Sequence, residues 1–411
     1  MKNFNKPVYL AAGAYTISLG TGRNEFHPKK PRPGLDYYIQ EAGKAVLSQI
    51  NSPENIDEGV IANFMAARFN RQGNLASLMT TIHPSLVHKP MIRVEGACAS
   101  GGLGIATGVK NILSGLADVV LVVGVEVQNT VKAIYGADIL AGAGYYAGER
   151  KEGHTYFFPA KFSDRAGAYF EKYGKDITRQ AMAHWYANAV ENARLNPLAQ
   201  EYHNTCKDLV SQGMTQPDAK TFTEHLNIFD CSKVSDGAAA ILVCSEEGYK
   251  KLGLNSDAVC EIIGLGQVMA NLISSPADLT ELDASRKAAN DARDMANVGI
   301  GDIGVFEVHD CFTISGLLSI EALGIVGQGK APELVINGET KLTGKYPVNT
   351  GGGLVGYGHP TGASGVRMAV DLWKQMTGKA EKFQVDLKKE HGMLISMGGN
   401  DKSLVSVIVK K

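Results

Sequence analysis

Apolar runs of strand length alternate with helix-length stretches along most of this chain. Val8-Tyr9-Leu10-Ala11-Ala12 predicts a first strand. Val119-Val120-Leu121-Val122-Val123-Gly124 is apolar at every position and β-branched at most, so it predicts a strand buried on both faces. A helical stretch from about Ser100 to Leu116 leads into it. Ala238-Ala239-Ala240-Ile241-Leu242-Val243-Cys244 predicts another buried strand, entered from Val234-Ser235-Asp236-Gly237. Val305-Phe306-Glu307-Val308 is a short strand running into His309. Near the end, 392–396 and 403–409 read as an antiparallel pair, with Gly398-Gly399-Asn400-Asp401 as much of the connection. Strands alternating with helices in this way make an α/β protein.

The middle stretch, 126–228, breaks that pattern. It carries Tyr145-Tyr146, Tyr156-Phe157-Phe158, Tyr169-Phe170 and Trp185-Tyr186, with helical runs and few strand signals. One helix is predicted from about Ile177 to Ala193, ending ahead of Pro197. The stretch reads as an insertion between the early strands and the strand at 238–244, and its aromatic residues read first as core.

Composition narrows the function classes. At 411 residues the chain is long enough for two or three packed units. Its formal net charge of −1 gives no basic field to hold nucleic acid or an anionic membrane. An anionic ligand such as coenzyme A then needs a local cluster of Lys or Arg. No run of about 18 apolar residues is present to span a bilayer. The 6 cysteines, at 98, 206, 231, 244, 260 and 311, form no CxxC pair and no metal-ligand spacing. Free thiols in a chain of this size point to a reducing compartment, and hence to the cytoplasm. Val8–Ala12 is too short for a signal sequence. The terminal Val409-Lys410-Lys411 is no peroxisomal address.

Three short segments carry candidate chemistry. Gly96-Ala97-Cys98-Ala99-Ser100-Gly101-Gly102 sets a thiol among small residues at a helix entry. Small neighbours let a ligand approach, and a helix N-terminus favours the thiolate. Gly358-His359-Pro360-Thr361-Gly362 sets an imidazole at a second helix entry, where it can serve as base to a thiol. His309-Asp310-Cys311-Phe312 follows a strand and adds a second imidazole and a second thiol. Each residue alone also fits a packed core, Cys98 as an inert cysteine in a tight helix contact above all. Asp310 reads as an orienting group. Cys231, Cys244 and Cys260 lie in or near apolar runs and read as core. His184, His203 and His225 are open between phosphate contacts and solvent. The glycine-rich run 351–356 leads to His359 and reads as active-site wall. The two small-residue elbows, at 98–104 and 359–365, form a weak internal repeat.

With these segments the chain resembles the thiolase superfamily over nearly its whole length. It is most similar to the sterol-carrier-protein type, in which the second segment reads His-Asp-Cys-Phe. The resemblance implies duplicated α/β halves in a layered αβαβα arrangement with an inserted loop domain. The halves would be 1–125 plus 229–255, and 256–411, with the insertion at 126–228. It implies Cys98 as nucleophile, His359 as its base and Cys311 as acid/base at the substrate α-carbon. The backbone N–H groups of Cys98 and Gly398 would form one oxyanion hole, and His309 with His359 a second. Coenzyme A is implied as co-substrate, with no tightly bound cofactor and no metal, in a homodimer or homotetramer. No sterol-carrier domain is expected after the last strand. Many thiolases read Asn-Glu-Ala-Phe at the second segment and carry a cysteine in a C-terminal Cys-x-Gly. Here that counterpart is Ser396-Met397-Gly398, so Cys311 must supply the second thiol.

Two other functions fit the same residues. A decarboxylating ketoacyl synthase or another thiolase-like acyltransferase uses one cysteine with two histidines, or with one histidine and an asparagine; Cys98, His309 and His359 satisfy the first set. Cys311 separates the two, because decarboxylation needs no second thiol. A catalytically silent scaffold subunit would not need both thiols and both imidazoles.

Overall fold

The computed structural model describes residues 4–150 and 155–411. Strands β1 (Tyr9–Tyr15), β2 (Glu58–Ala62), β3 (Met91–Val94), β4 (Val119–Val127), β5 (Asp236–Cys244), β6 (Val259–Met269), β7 (Ile303–Val308), β8 (His391–Gly398) and β9 (Ser403–Lys410) make up the sheet. Among the described residues they form one nine-stranded sheet in the order β3-β2-β4-β5-β1-β6-β9-β8-β7.

The halves repeat one order of elements, with a strand of the first reduced to a bridge in the second. In the first, β1 is followed by helix Leu35–Leu47, then β2, β3, helix Ser100–Ser114, β4 and β5. In the second, β6 is followed by helix Asp283–Ala296, then β7, a single parallel bridge at Val348, helix Thr361–Met376, β8 and β9. β2–β4 and β7–β8 pair in parallel, while β4–β5 and β8–β9 pair antiparallel. The halves join where β1 meets β6 over Tyr9–Ala11.

Packing explains the all-apolar strands. Along β4, Val120 and Val122 belong to one buried cluster, and Val119, Leu121, Val123 and Val125 to another on the opposite face. A strand with helices on both faces gains from burying every side chain, which removes the usual polar alternation. Helices Ser100–Ser114 and Thr361–Met376 lie between the halves. The first packs through Gly104 and Gly108 on Val60, Val122 and Val243. The second packs through Val370 and Trp373 on Gly13, and through Leu372 and Met376 on Gly392. Helix Leu35–Leu47 covers the outer face of the first half, and Asp283–Ala296 lies against Gly264 and Gly266 of β6. The layers are therefore αβαβα.

The halves differ in one connection. β8 and β9 are joined by the short link 399–402, whereas β4 and β5 are separated by 128–235. That long connection carries helices Ala133–Leu140, Phe157–Tyr173 and Lys175–Ala193. Part of its aromatic content is core: Phe157, Phe162, Tyr169, Phe170, Trp185 and Tyr186 are buried, while Tyr135 and Tyr146 are exposed.

Candidate active site

Cys98 sits in a 3-10 turn, Ala97–Ala99, that runs directly into helix Ser100–Ser114. Ala97 has φ 54°, a left-handed conformation that L-residues rarely adopt, and it turns the chain sharply beside Cys98. Ser100 Oγ holds the bend, accepting from Gly96 N at 3.0 Å and donating to Ala97 O at 2.6 Å.

The glycines serve packing rather than ligand approach, against the expectation above. A Cβ on Gly101 would lie 2.6 Å from Val366 N, and one on Gly365 would lie 2.4 Å from Gly102 N. The two elbow helices touch backbone to backbone, which only glycine permits. Both alternatives at Cys98 thus hold together: the elbow makes a tight helix contact, and its thiol still opens on a pocket.

His359 precedes helix Thr361–Met376, entered through Gly358 at φ 111°. Its backbone N donates to Ser235 Oγ (3.0 Å) and its carbonyl accepts from Gln128 Nε2 (2.8 Å). Ring Nδ1 meets Ser364 Oγ at 2.6 Å, and Ser364 Oγ also donates to Pro360 O at 3.1 Å. When Ser364 gives its one proton to Pro360 O, it accepts from Nδ1–H. The Nε2 lone pair is then free, the tautomer a general base requires. Nε2 is buried and has no other partner.

His309 ends β7, with its ring centroid 5.1 Å from that of His359 and edge-on to it. The Cys98 sulfur and one ring nitrogen of each histidine all lie within 4.8 Å of one another. Cys311 lines the same pocket, close enough that charge on Cys98 opposes charge on it. Asp310 points away from the pocket chemistry. It accepts from Trp185 Nε1 (3.0 Å) and Leu354 N (2.7 Å), tying the inserted stretch to the second half. Burial pushes its carboxyl up to about 6.

Gly398 backs the elbow, where a Cβ would lie 2.2 Å from Gly96 O. The backbone N–H groups of Gly399 and of Cys98 itself both favour charge on the Cys98 sulfur, and Gly399 lines the pocket. Glycines 351–356, expected as active-site wall, lie outside the pocket lining: Gly352 and Gly356 pack on helix Lys175–Ala193, Gly351 on Asp371, and Gly353 on Asp310 and Asn349. A Cβ on Gly356 would meet Ala189 O at 2.2 Å. Cys244 and Cys260 are buried in β5 and β6 as expected. Cys231 is not core: it lines the pocket, opposite Phe312 in an antiparallel bridge. His184, His203 and His225 lie outside the pocket lining, His225 edge-on to Phe170 at 5.7 Å.

The electrostatics favour neutral resting groups. Burial pushes the Cys98 thiol up to about 12, with the Gly399 backbone bond pulling the other way. Burial, then the Arg367 charge, brings His359 down to about 3. His309 is held well below its usual range by burial, His359 and Arg367, in that order. Arg367 is itself buried, pairing with Asp371 and with Glu307 at 3.3 Å. That second pair links the strand ending at His309 to the helix beginning at His359.

One further group, Glu126, escaped the sequence reading. It is fully buried at the end of β4. It accepts from Asn63 Nδ2 (3.0 Å), Phe64 N (2.9 Å), Met65 N (3.0 Å), Thr361 Oγ1 (3.0 Å) and Gly362 N (3.1 Å). It thereby fastens the His359 elbow to the half that carries Cys98. A lone carboxylate inside Val123-Gly124-Val125-Glu126-Val127 was the available signal.

The pocket encloses about 890 Å³, part of it open to solvent, and is mainly apolar. Ala137, Leu140, Tyr156, Phe158 and Phe162 form its wall from the long β4–β5 connection. Phe162 stacks on Phe312 at 4.5 Å.

The chain matches the family described as Thiolase, N-terminal domain, over residues 35–247, and that described as Thiolase C-terminal domain-like over residues 266–411. It is 34% identical to an acetyl-CoA acetyltransferase of Methanothermobacter thermautotrophicus, across 88% of this chain and 90% of that one. It is 29% identical to human sterol carrier protein 2, across 89% of this chain and 67% of that one. The fold superposes on human mitochondrial 3-ketoacyl-CoA thiolase in complex with CoA with a TM-score of 0.71 at 17% identity, covering 100% of this chain and 99% of that one. The chain belongs to the thiolase family and is an acyltransferase of that family.

Proposed function

We propose that this chain cleaves 3-ketoacyl-CoA to acetyl-CoA and acyl-CoA, or runs the reverse Claisen condensation, through an acyl group on Cys98. The convergence of Cys98, His309 and His359 within 4.8 Å, at an apolar pocket shared with Cys311, carries this reading. His359 Nε2 takes the thiol proton as Cys98 sulfur attacks the keto carbon. Charge develops during attack, where the Cys98 and Gly398 backbone N–H groups are proposed to meet it. The carbon–carbon bond breaks, leaving an acyl-Cys98 and an acetyl-CoA enolate. Cys311 S–H protonates the enolate carbon, while His309 and His359 face its oxygen. A second CoA then removes the acyl group in a ping-pong cycle.

Coenzyme A serves as co-substrate. The unit 126–228 sets acyl choice, and the halves 1–125 plus 229–255, and 256–411, supply the chemistry. A homodimer or homotetramer in the cytoplasm completes the proposal, the location resting on the free thiols. No helix among the described residues is long and apolar enough to cross a membrane. A decarboxylating synthase would leave Cys311 without a task, and a silent subunit would leave four groups without one.

The test is CoA-dependent cleavage of acetoacetyl-CoA and longer 3-ketoacyl-CoAs, with Cys98→Ala as the blank. Cleavage that disappears in the blank supports the proposal. Turnover retained by Cys98→Ala, or a requirement for a malonyl thioester, overturns it.

A further inference from the structure

The spacing of Cys98, His309 and His359 in sequence holds no metal-ligand pattern, yet the fold brings their donor atoms within 4.8 Å of one another. We propose that these three side chains bind a borderline or soft divalent cation, of the Zn²⁺ or Cd²⁺ type, and that occupancy switches acyl transfer off. The binding site follows from the donors alone; the switching rests on the active-site reading above.

The donor set selects the cation. It offers one sulfur and two imidazole nitrogens in a mainly apolar pocket, with no carboxylate among the three. Hard cations such as Mg²⁺ and Ca²⁺ demand oxygen ligands, whereas thiolate with imidazole suits zinc and its heavier congener. His359 Nε2 and His309 Nδ1 are both buried without a hydrogen-bond partner. Such orphaned nitrogens are costly to leave unpaired, and a ligand relieves them. Ser364 on Nδ1 of His359 orients that ring as the outer shell of a metal site does.

Tetrahedral zinc spaces its donors about 3.5 Å apart, so the cluster must close by about 1 Å, within reach of small side-chain rotations. The pocket leaves a fourth position for water, or for the Cys311 sulfur on the same wall. On binding, the Cys98 S–H bond breaks, its proton passes to solvent, and a metal–sulfur bond replaces it. Nothing is oxidised or reduced. Acyl group and cation then compete for one sulfur, and each excludes the other.

Titration with Cd²⁺ alone, followed by the ultraviolet sulfur-to-cadmium charge-transfer band, tests the site. The band is expected to saturate at one equivalent, to vanish in Cys98→Ser, and to weaken at least tenfold in affinity in His359→Ala. It should persist in Cys206→Ser, a cysteine outside the pocket lining. Wild-type protein alkylated at Cys98 should also lose the band, which covers any variant that misfolds. A band surviving Cys98→Ser or alkylation, or no saturation at one equivalent, overturns the site. Zn²⁺ should slow acylation of Cys98 by acyl-CoA at least tenfold, reversed by a chelator. Unchanged acylation with zinc bound overturns the switch. A cadmium band in a protein that acyl-CoA never modifies would instead overturn the proposed function while the metal site stands.

Discussion

The elbow at Cys98 and the elbow at His359 are the same device built twice. Each bends through a positive φ, at Ala97 or Gly358, and each opens a helix that packs on the other through glycine. Each carries a serine in its first turn that donates to a carbonyl three or four residues back, Ser100 to Ala97 and Ser364 to Pro360. The side chain presented at the bend differs. One half offers a thiol, the other an imidazole whose second nitrogen is held by its own serine. The repeated elbow thus gives two similar positions facing one space, and in the proposed function single residues divide nucleophile from base between them. Glu126 keeps the pair in register, because its carboxylate bonds both the 63–65 segment and the His359 elbow.

That division of labour can be probed from the most disruptive change downward. Cys98→Ala should lower 3-ketoacyl-CoA cleavage by about 10⁴-fold or more, as loss of a nucleophile does; a steady-state assay that finds less than a hundredfold would move the nucleophile elsewhere. Cys311→Ala should cost carbon–carbon cleavage about 10²- to 10⁴-fold, the worth of a general acid. It should leave acylation of Cys98 by acyl-CoA unchanged, and equal loss of both partial reactions would remove Cys311 from its role.

The pH profile gives a third probe. An ordinary imidazole, with pKa near 6.5, would lose about 30-fold of its neutral form between pH 8 and pH 5. His359 is lowered to about 3, so its neutral form persists as pH falls through that range. Single-turnover acylation should then stay nearly flat down to pH 5, and a steep acid limb centred near 6.5 would contradict the buried neutral base.

The two serines should part company. Ser364→Ala is expected to slow acylation about tenfold by freeing the imidazole tautomer, whereas Ser100→Ala should cost only stability, about 1 kcal/mol. Chemical denaturation beside acylation rates separates these outcomes. Gly101→Ala places a methyl against Val366 N and should destabilise by about 1–3 kcal/mol; an unshifted denaturation midpoint would mean the helices are not in backbone contact.

The four chemical residues were legible because each stands in a glycine- or loop-rich motif at an element boundary. The α/β alternation was legible where both strand faces are buried, as in β4 and β5. Other parts were hidden for physical reasons. β3 is a four-residue edge strand with half-exposed positions, too short for its pattern to register. The role of the elbow glycines was misjudged, since which surface fills a missing Cβ depends on a partner 260 residues away. Cys231 looked like core because its neighbour Phe312 arrives from another part of the chain. The Arg367–Glu307 pair joins residues 60 apart, a separation that no local pattern reveals.

The most direct test is to mix the protein with acetyl-CoA and map the acetyl group by peptide mass spectrometry, in wild type and in His359→Ala. The account predicts acetyl on Cys98 alone, formed at least about 10²-fold more slowly without the imidazole. Acetyl on Cys311 or Cys231 instead, or equal rates in the two proteins, would contradict the pairing of a nucleophile from one half with a base from the other.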